Sequence, residues 1–228
     1  MKKTSDKQKK ANKKKILKKE NKQVIIAISL MIAIIIMIIA VPIIKKNYFD
    51  KFVYISLDFQ KTQLGDLYFY STRIPLVNQS GSLDGMYAMN FRSNPKETEY
   101  IPIDNKTITF RKYYPVYVTF NPEMQRCDDN LIAIINLRNF LHDFANLDLK
   151  SGVTNKEYAK EANISHITCE NTYKNTVILI DSGNETKIEK IKKDCYKLTY
   201  NNCEIIPVTE RFVITILEEY MSYFVRED

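Results

Sequence analysis

The longest apolar run of the chain lies near its N-terminus, where residues 24–44 read VIIAISLMIAIIIMIIAVPII without a charged side chain. As a helix this run would extend about 31 Å at 1.5 Å per residue, which matches the hydrocarbon thickness of a bilayer. A cleaved signal peptide would have a shorter apolar region followed by a small-residue cleavage site, and neither is evident. The pattern therefore predicts an uncleaved transmembrane helix at residues 24–44.

The next part of the chain has the composition of β-strands. Aromatic and β-branched residues are concentrated in short runs, which are separated by turn signals rich in Gly, Asn, Asp and Pro. Prolines such as Pro75 fit strand edges better than strand centres, because proline has no amide hydrogen to donate to a neighbouring strand. The predicted strands are 52–59, 67–72, 85–91, 107–112 and 115–120.

The last part of the chain mixes helical and strand-like patterns. In residues 128–147 the apolar side chains recur at spacings of three and four, which predicts an amphipathic helix with Asp128 and Asp129 at its N-terminus. The other predicted elements are helices at 154–162 and 209–224 and strands at 176–180, 187–200 and 203–207.

The order of these elements predicts the fold class. The strand at 115–120, the helix at 128–147 and the strand at 176–180 have the form of a β-α-β crossover, which pairs its two strands in parallel. The remaining connections resemble hairpins. We therefore expect an α/β fold, a mixed sheet with helices packed on it, preceded by a single transmembrane helix.

Charge is distributed unevenly and predicts an orientation in the membrane. Residues 1–22 contain eleven lysines against Asp6 and Glu20, so this tail carries +9, and a net charge of +7 leaves −2 for the rest of the chain. The folded part therefore lacks the basic excess typical of nucleic-acid binding, and no nucleic-acid partner is expected. The positive-inside bias places the tail in the cytoplasm and residues 45–228 outside. The tail lysines and residues 24–44 are expected to contact membrane lipid.

These observations divide the chain into three parts. A lysine-rich disordered cytoplasmic tail at 1–22 precedes the transmembrane helix at 24–44, and an exterior domain follows at 50–228. A chain of 228 residues has room for one domain of ordinary size beside the anchor. Within that domain we expect a strand-rich half at 50–120 and a mixed helix and strand half at 121–228.

Four cysteines follow the apolar run, and an even number of exterior cysteines favours disulfides. A hairpin that turns near Thr199 would place Cys195 opposite Cys203, whereas a turn at Asn201 and Asn202 would separate them by about 17 Å. The pairs 195–203 and 127–169 are slightly favoured, and the other two connectivities stay open. The cysteines are Cys127, Cys169, Cys195 and Cys203, and the candidate glycosylation sites are Asn78, Asn105, Asn163 and Asn184.

The residues that could carry chemistry form no complete motif. His166 and Cys169 lack the further closely spaced ligands of a zinc site, and no local motif supports Cys169 as a nucleophile with His142 or His166 as its base. Asp181 and Ser182 follow a predicted strand, a common position for α/β sites, but the turn interpretation is clearly favoured for them. We therefore predict no catalytic residue, no metal ligand and no cofactor.

The segments ITCENTYKNTVILIDSGNETKIEK (167–190) and CYKLTYNNCEIIPVTERFVITILEEY (195–220) resemble the C-terminal half of single-span archaeal cell-envelope proteins that have no assigned activity. The similarity includes a lysine-rich tail, one span and an ectodomain that ends in a cysteine-flanked strand pair and a TERF-like helix. FRSNPKETEYIPI (91–103) is similar to their middle segment. The resemblance covers about residues 85–220 and implies no catalytic residues.

Together these patterns predict a membrane-anchored exterior domain with a binding or structural role. It would be an accessory protein or subunit of a cell-envelope assembly, with a protein partner in that assembly. The alternative is an exterior enzyme, either a hydrolase or a thiol–disulfide protein. The absence of a catalytic motif favours the binding or structural role.

Overall fold

The computed structural model describes residues 26, 28–42, 44, 50–78, 82–104, 107–111 and 113–225. The chain forms two compact units, Met1–Lys51 and Phe52–Asp228.

In the first unit the described residues 26, 28–42 and 44 are helical, and helix α1 denotes residues 28–42. No helix within the described residues combines the length and apolar character needed to cross a membrane. The predicted tail at 1–22 lies outside the described residues, as do Val24, Ile25, Ala27 and Ile43 of the predicted span.

A four-stranded sheet, which apart from Lys51 belongs to the second unit, runs in the order β1-β2-β3-β4. Two residues with positive φ, Ile55 at 48° and Ser56 at 60°, form the turn between β1 and β2, so the predicted single strand 52–59 is a hairpin. Gly65, with φ of 61°, begins the turn between β2 and β3, where glycine tolerates this conformation best. The strands are β1 (Lys51–Tyr54), β2 (Leu57–Leu64), β3 (Leu67–Val77) and β4 (Leu83–Phe91).

The other described strands form a six-stranded mixed sheet in the order β7-β6-β5-β8-β10-β9. All of its pairings are parallel except that of β9 with β10. The strands are β5 (Val116–Phe120), β6 (Leu149–Val153), β7 (Ser165–His166), β8 (Thr176–Ser182), β9 (Lys187–Lys192) and β10 (Cys195–Tyr200).

The mixed α/β prediction is confirmed, and so is the parallel pairing of the strand at 115–120 with that at 176–180, because β5 and β8 are parallel neighbours. β5 belongs to the six-stranded sheet, although the sequence grouped it with the strands that precede it. The helices are α2 (Asn130–Asn139), which continues as a π-helix at Phe140–Phe144, α3 (Lys156–Glu161) and α4 (Ile205–Val225).

Besides 52–59, three further predicted strands are wrong. The segment 187–200 is the hairpin β9–β10, because Asp194 adopts a φ of 64° and reverses the chain. The segment 203–207 is the start of α4. Within 107–112 the described residues form no strand, since their amides bond to side chains: Ile108 donates to Glu219 at 3.3 Å and Thr109 to Tyr196 at 2.8 Å.

One hydrophobic core joins the two sheets to α2 and α4. α4 packs against α2 and β10, and Phe212, Ile214 and Leu217 on this helix are fully shielded from solvent. Burial of such side chains contributes about 1.5–3 kcal/mol each, so α4 is a main source of stability in this unit.

Candidate functional site

The carboxyl ends of β5, β8 and β10 meet at one edge of the six-stranded sheet, where α/β folds commonly place their sites. Asp181 lies at this edge, and its Oδ1 accepts hydrogen bonds from Asn121 Nδ2 at 3.1 Å and from the Ser182 amide at 2.9 Å. Its Oδ2 lies 3.2 Å from Lys197 Nζ. Three donors, from two strands and a loop, therefore hold the carboxylate. These contacts keep the loop and the two strands in position at this edge of the sheet.

Ser182 also stabilises the loop that follows β5. Its Oγ accepts the amide of Gln125 at 2.9 Å. The carbonyl of Gln125 in turn accepts hydrogen bonds from Asn130 Nδ2 at 2.9 Å and from the Tyr200 hydroxyl. These contacts tie the loop to β8, β10 and α2. They support the turn interpretation of Asp181 and Ser182, since both side chains hold the backbone.

The two histidines lie apart from these residues and have different partners. His142 is exposed on the π-helix and bonds to Asp143 Oδ1 at 2.8 Å. His166 Nε2 bonds to the carbonyl of Thr154 at 3.0 Å. Within the part of the chain that the structure describes, no group of His, Cys, Asp and Glu side chains could hold a metal ion.

All four cysteines are paired, as Cys127–Cys203 and Cys169–Cys195. The favoured pairs, Cys195 with Cys203 and Cys127 with Cys169, are wrong. Cys195 begins β10, whereas Cys203 follows the end of that strand, so the two residues lie at opposite ends of the strand. Each bond has a Cα–Cα distance of 5.6 Å, within the usual range.

We expect a mild thiol reductant to open Cys127–Cys203 before Cys169–Cys195. Thiol–disulfide exchange requires access to a sulfur, and Cys203 is exposed while Cys195 is fully buried. Timed alkylation followed by peptide mass analysis would show labels on Cys127 and Cys203 first. Equal or earlier labelling of Cys169 and Cys195 would contradict this order.

The predicted sequons have mixed outcomes. Asn78, Asn163 and Asn184 are exposed, as an acceptor asparagine must be, whereas Asn105 lies outside the described residues. Their use as glycosylation sites stays a prediction.

A buried carboxylate connects α4 to the end of the first sheet. Glu210 is only 6% exposed, and its two oxygens accept the amides of Arg92 at 2.6 Å and Ser93 at 2.8 Å. Burial raises the pKa of Glu210 to about 7, while these amide donors act in the opposite direction. Glu210 thus anchors the segment that follows β4.

Next to Glu210 on α4, Arg211 is buried as well, at 5% exposed. Its Nε and Nη1 have no hydrogen-bond partner among the described residues. Burial and a hydrogen bond with Glu99 raise the pKa of Tyr54 to about 12, whereas the nearby Arg211 lowers it. The TERF-like segment of α4 is therefore part of the protein interior.

A groove of about 480 Å³ lies beside β4 and α2. Its sheet side comprises Leu67 and Phe69 of β3 and Tyr87–Asn90 of β4, and its helix side comprises Ile132, Asn136 and Asn139, which share one face of α2. At one end Arg92 Nη1 forms a 2.7 Å ion pair with Asp129, the residue before α2. Residues from both faces of β4 line the groove, together with residues of the neighbouring strand β3.

The chain matches no family model, no curated protein and no solved structure. The resemblance to archaeal single-span envelope proteins therefore stays a prediction.

Sequence reasoning pointed to the carboxyl edge of the sheet and missed both Glu210 and the groove. The motif TERF drew attention to α4, but nothing in it indicates that Glu210 accepts amides more than a hundred residues away. The groove brings together residues of β3, β4 and α2, and this arrangement was not available from the hydrophobic pattern.

Proposed function

We propose that the protein is a single-pass membrane protein whose exterior domain, residues 50–228, has a binding or structural role in a cell-envelope assembly. The pairing of all four cysteines carries the proposal. Disulfides form and persist in oxidising compartments and are rare in the cytosol. The proposal therefore places the domain outside, joined to a cytoplasmic lysine-rich tail by the apolar segment 24–44.

The first unit supports an anchoring role. Large apolar side chains along α1 are exposed, including Ile36 at 60%, Met37 at 65% and Ile38 at 68%. Side chains of this kind are stable at such exposure when lipid surrounds them. Together with the lysines of residues 1–22, they support membrane insertion with the tail inside.

The polar groups of the domain favour a binding or structural role. The candidate residues Asp181, Ser182, His142 and His166 each bond to backbone or to a neighbouring side chain, and no described nucleophile lies beside a histidine base. A catalytic serine or cysteine would need that contact. These groups serve the fold, which favours a binding or structural domain.

A thiol–disulfide protein is the second candidate. The exposure of Cys203 favours it, because an accessible sulfur is the point at which an external thiol attacks. Reduction of the Cys127–Cys203 bond by a dithiol partner would support this candidate. A bond that opens only after unfolding would remove it.

Protease treatment of intact cells that produce the full chain tests the proposal. We expect an exterior protease to digest residues 50–228 and to leave an epitope fused before residue 1 intact. We also expect the undigested chain to stay with the membrane through alkaline carbonate extraction. Full protection of the domain in intact cells, with digestion after lysis, would contradict the exterior placement. Release by carbonate would contradict the anchor.

A further inference from the structure

Three loops meet at the amino edge of the six-stranded sheet, where β5, β8 and β10 begin. Arg111 joins them, because its Nε bonds to Asp194 Oδ2 at 2.6 Å and its Nη1 donates to the Tyr173 carbonyl at 2.9 Å. The Thr176 amide also donates to the Pro115 carbonyl at 3.3 Å, which links the loop before β5 to the loop before β8. The loops therefore form one continuous surface at this end of the sheet.

Three tyrosine side chains of this surface extend into solvent. Tyr113 is 97% exposed, Tyr173 is 81% exposed and Tyr114 is 43% exposed. No hydrogen bond joins these side chains to another residue that the structure describes. Tyrosine is on average well buried in folded proteins, so three such side chains on adjacent loops are unusual.

The backbone conformation of Tyr113 is unfavourable for its side chain. Its φ of 65° lies in the left-handed region, which bulky residues rarely adopt and which glycine or asparagine adopts readily. The ring also adds little to the packing of the domain, since it is almost wholly exposed. A tyrosine that suits neither the turn nor the core indicates a role outside the fold.

A cleft of about 320 Å³ opens beside Tyr114. Its other lining residues are Arg111, Lys193 and Asp194. The Asp194 side chain is only 6% exposed and is paired with Arg111. A guanidinium has five N–H donors, and Arg111 bonds through Nε and Nη1 alone, so further donors remain. The cleft therefore offers these donors and the Lys193 ammonium to a ligand.

The charge of the surface favours an acidic ligand. The segments 111–115, 173–175 and 193–194 contain four basic residues and one acidic residue, Asp194. No carboxylate of a described residue forms an ion pair with Lys174 or Lys193. The surface is thus locally positive, although the chain after residue 22 carries a net charge of −2. Surfaces of opposite charge attract and orient their partners.

We propose that an acidic segment of another polypeptide binds this tyrosine surface, whose described residues are Arg111, Tyr113, Tyr114, Tyr173, Lys174, Lys193 and Asp194. A carboxylate of the segment occupies the cleft beside Arg111 and Lys193, and its apolar side chains cover Tyr113 and Tyr173. Tyrosine and arginine are enriched at the energetic centres of protein interfaces, which favours a polypeptide over an acidic polysaccharide. The inference rests on the proposed binding role and adds the surface and the chemistry of its partner.

Photo-crosslinking of the full chain in intact cells tests the proposal. The chain carries p-benzoylphenylalanine in place of Tyr113, and mass analysis identifies the joined peptide. We expect a protein adduct whose joined peptide is rich in Asp and Glu. Lys193→Glu in the same chain should lower the adduct yield about tenfold. Lys156→Glu, at an exposed lysine of α3, changes the charge equally and should leave the yield unchanged.

Four results would overturn the proposal: no protein adduct, a joined peptide without an acidic excess, an adduct with a second copy of this chain, or an equal loss of yield from Lys193→Glu and Lys156→Glu. An adduct with a polysaccharide would also overturn it, because the surface would then bind another class of ligand. Protease access to residues 50–228 is measured separately. Failure of this surface is therefore distinguishable from failure of the exterior placement.

Replacing Tyr113 with asparagine separates binding from folding. Asparagine suits a φ of 65°, so the urea midpoint of Tyr113→Asn should equal or exceed that of wild type. With p-benzoylphenylalanine moved to position 173, Tyr113→Asn should lower the adduct yield about tenfold. Tyr158→Asn, at an exposed tyrosine of α3, is the matched control and should leave the yield unchanged. A lowered urea midpoint for Tyr113→Asn, or an unchanged yield, would contradict the role given to Tyr113.

Discussion

Replacing Glu210 with alanine is expected to lower the free energy of unfolding at pH 5 by about 2–4 kcal/mol. The carboxyl group accepts the amides of Arg92 and Ser93, and a donor left without a partner in the interior costs about 1–3 kcal/mol. Equilibrium urea denaturation of the detergent-solubilised chain measures this loss. Glu185→Gln is the control, because Glu185 is 67% exposed and its ion pair should contribute under about 1 kcal/mol.

The contribution of Glu210 also depends on pH. Its pKa is raised from 4.5 to about 7, so between these values the folded chain retains a proton that the unfolded chain releases. The stability associated with this group is therefore complete below pH 4.5 and is lost as pH rises towards 7, by at most about 1.4 kcal/mol per pH unit. Against Glu210→Gln, which does not titrate, wild type should lose stability between pH 5 and pH 8. A difference between these two proteins that is constant with pH would contradict the assignment.

Replacing both Cys169 and Cys195 with alanine is expected to lower the free energy of unfolding by about 3–4 kcal/mol. The bond closes a loop with a sequence separation of 26, for which loop-closure entropy gives a contribution of about this size. Cys195 is also fully buried against Ile167 and Val177, so its truncation removes core contacts. Urea denaturation under non-reducing conditions is the measurement.

Reduced wild-type protein is the matched control for this variant. With both disulfides open it should be no more stable than the double alanine variant, which retains the Cys127–Cys203 bond. A loss below about 1 kcal/mol in the variant would contradict the view that this disulfide stabilises the six-stranded sheet.

The parts of the fold that sequence predicted are those with strong local patterns. β5, β8 and the body of α2 have uninterrupted apolar or periodic runs, and each was predicted within a few residues. β6 was missed, since Leu149–Val153 contains only one β-branched residue. Its Gly152 is required by packing, because a Cβ there would meet Ile167 Cβ at 2.8 Å.

The sequence failed to predict the β9–β10 turn and the start of α4 for specific reasons. The β9–β10 turn uses Asp194 at positive φ, where a glycine or asparagine would have signalled the reversal. The first residues of α4 are rich in isoleucine, a pattern that predicts a strand. They include Pro207, and proline is tolerated in the first turn of a helix.

The residues of the candidate site were harder to predict from sequence than the strands and helices, because tertiary contacts bring these residues together. The disulfide pairs follow from the position of Cys203 beyond β10, which local spacing does not determine. The link from Glu210 to the amides after β4 and the groove beside β4 both depend on contacts between distant segments. Sequence did predict that Asp181 and Ser182 lie at a strand end, where they hold a loop.

The central claim is that residues 50–228 fold on the oxidising side of a membrane. The most direct test is to alkylate intact cells that produce the full chain, denature the protein without reductant, and map its peptides by mass. The account predicts two crosslinked pairs, Cys127–Cys203 and Cys169–Cys195, with no alkylated cysteine. Four free thiols, labelled only after the cells are opened, would contradict it.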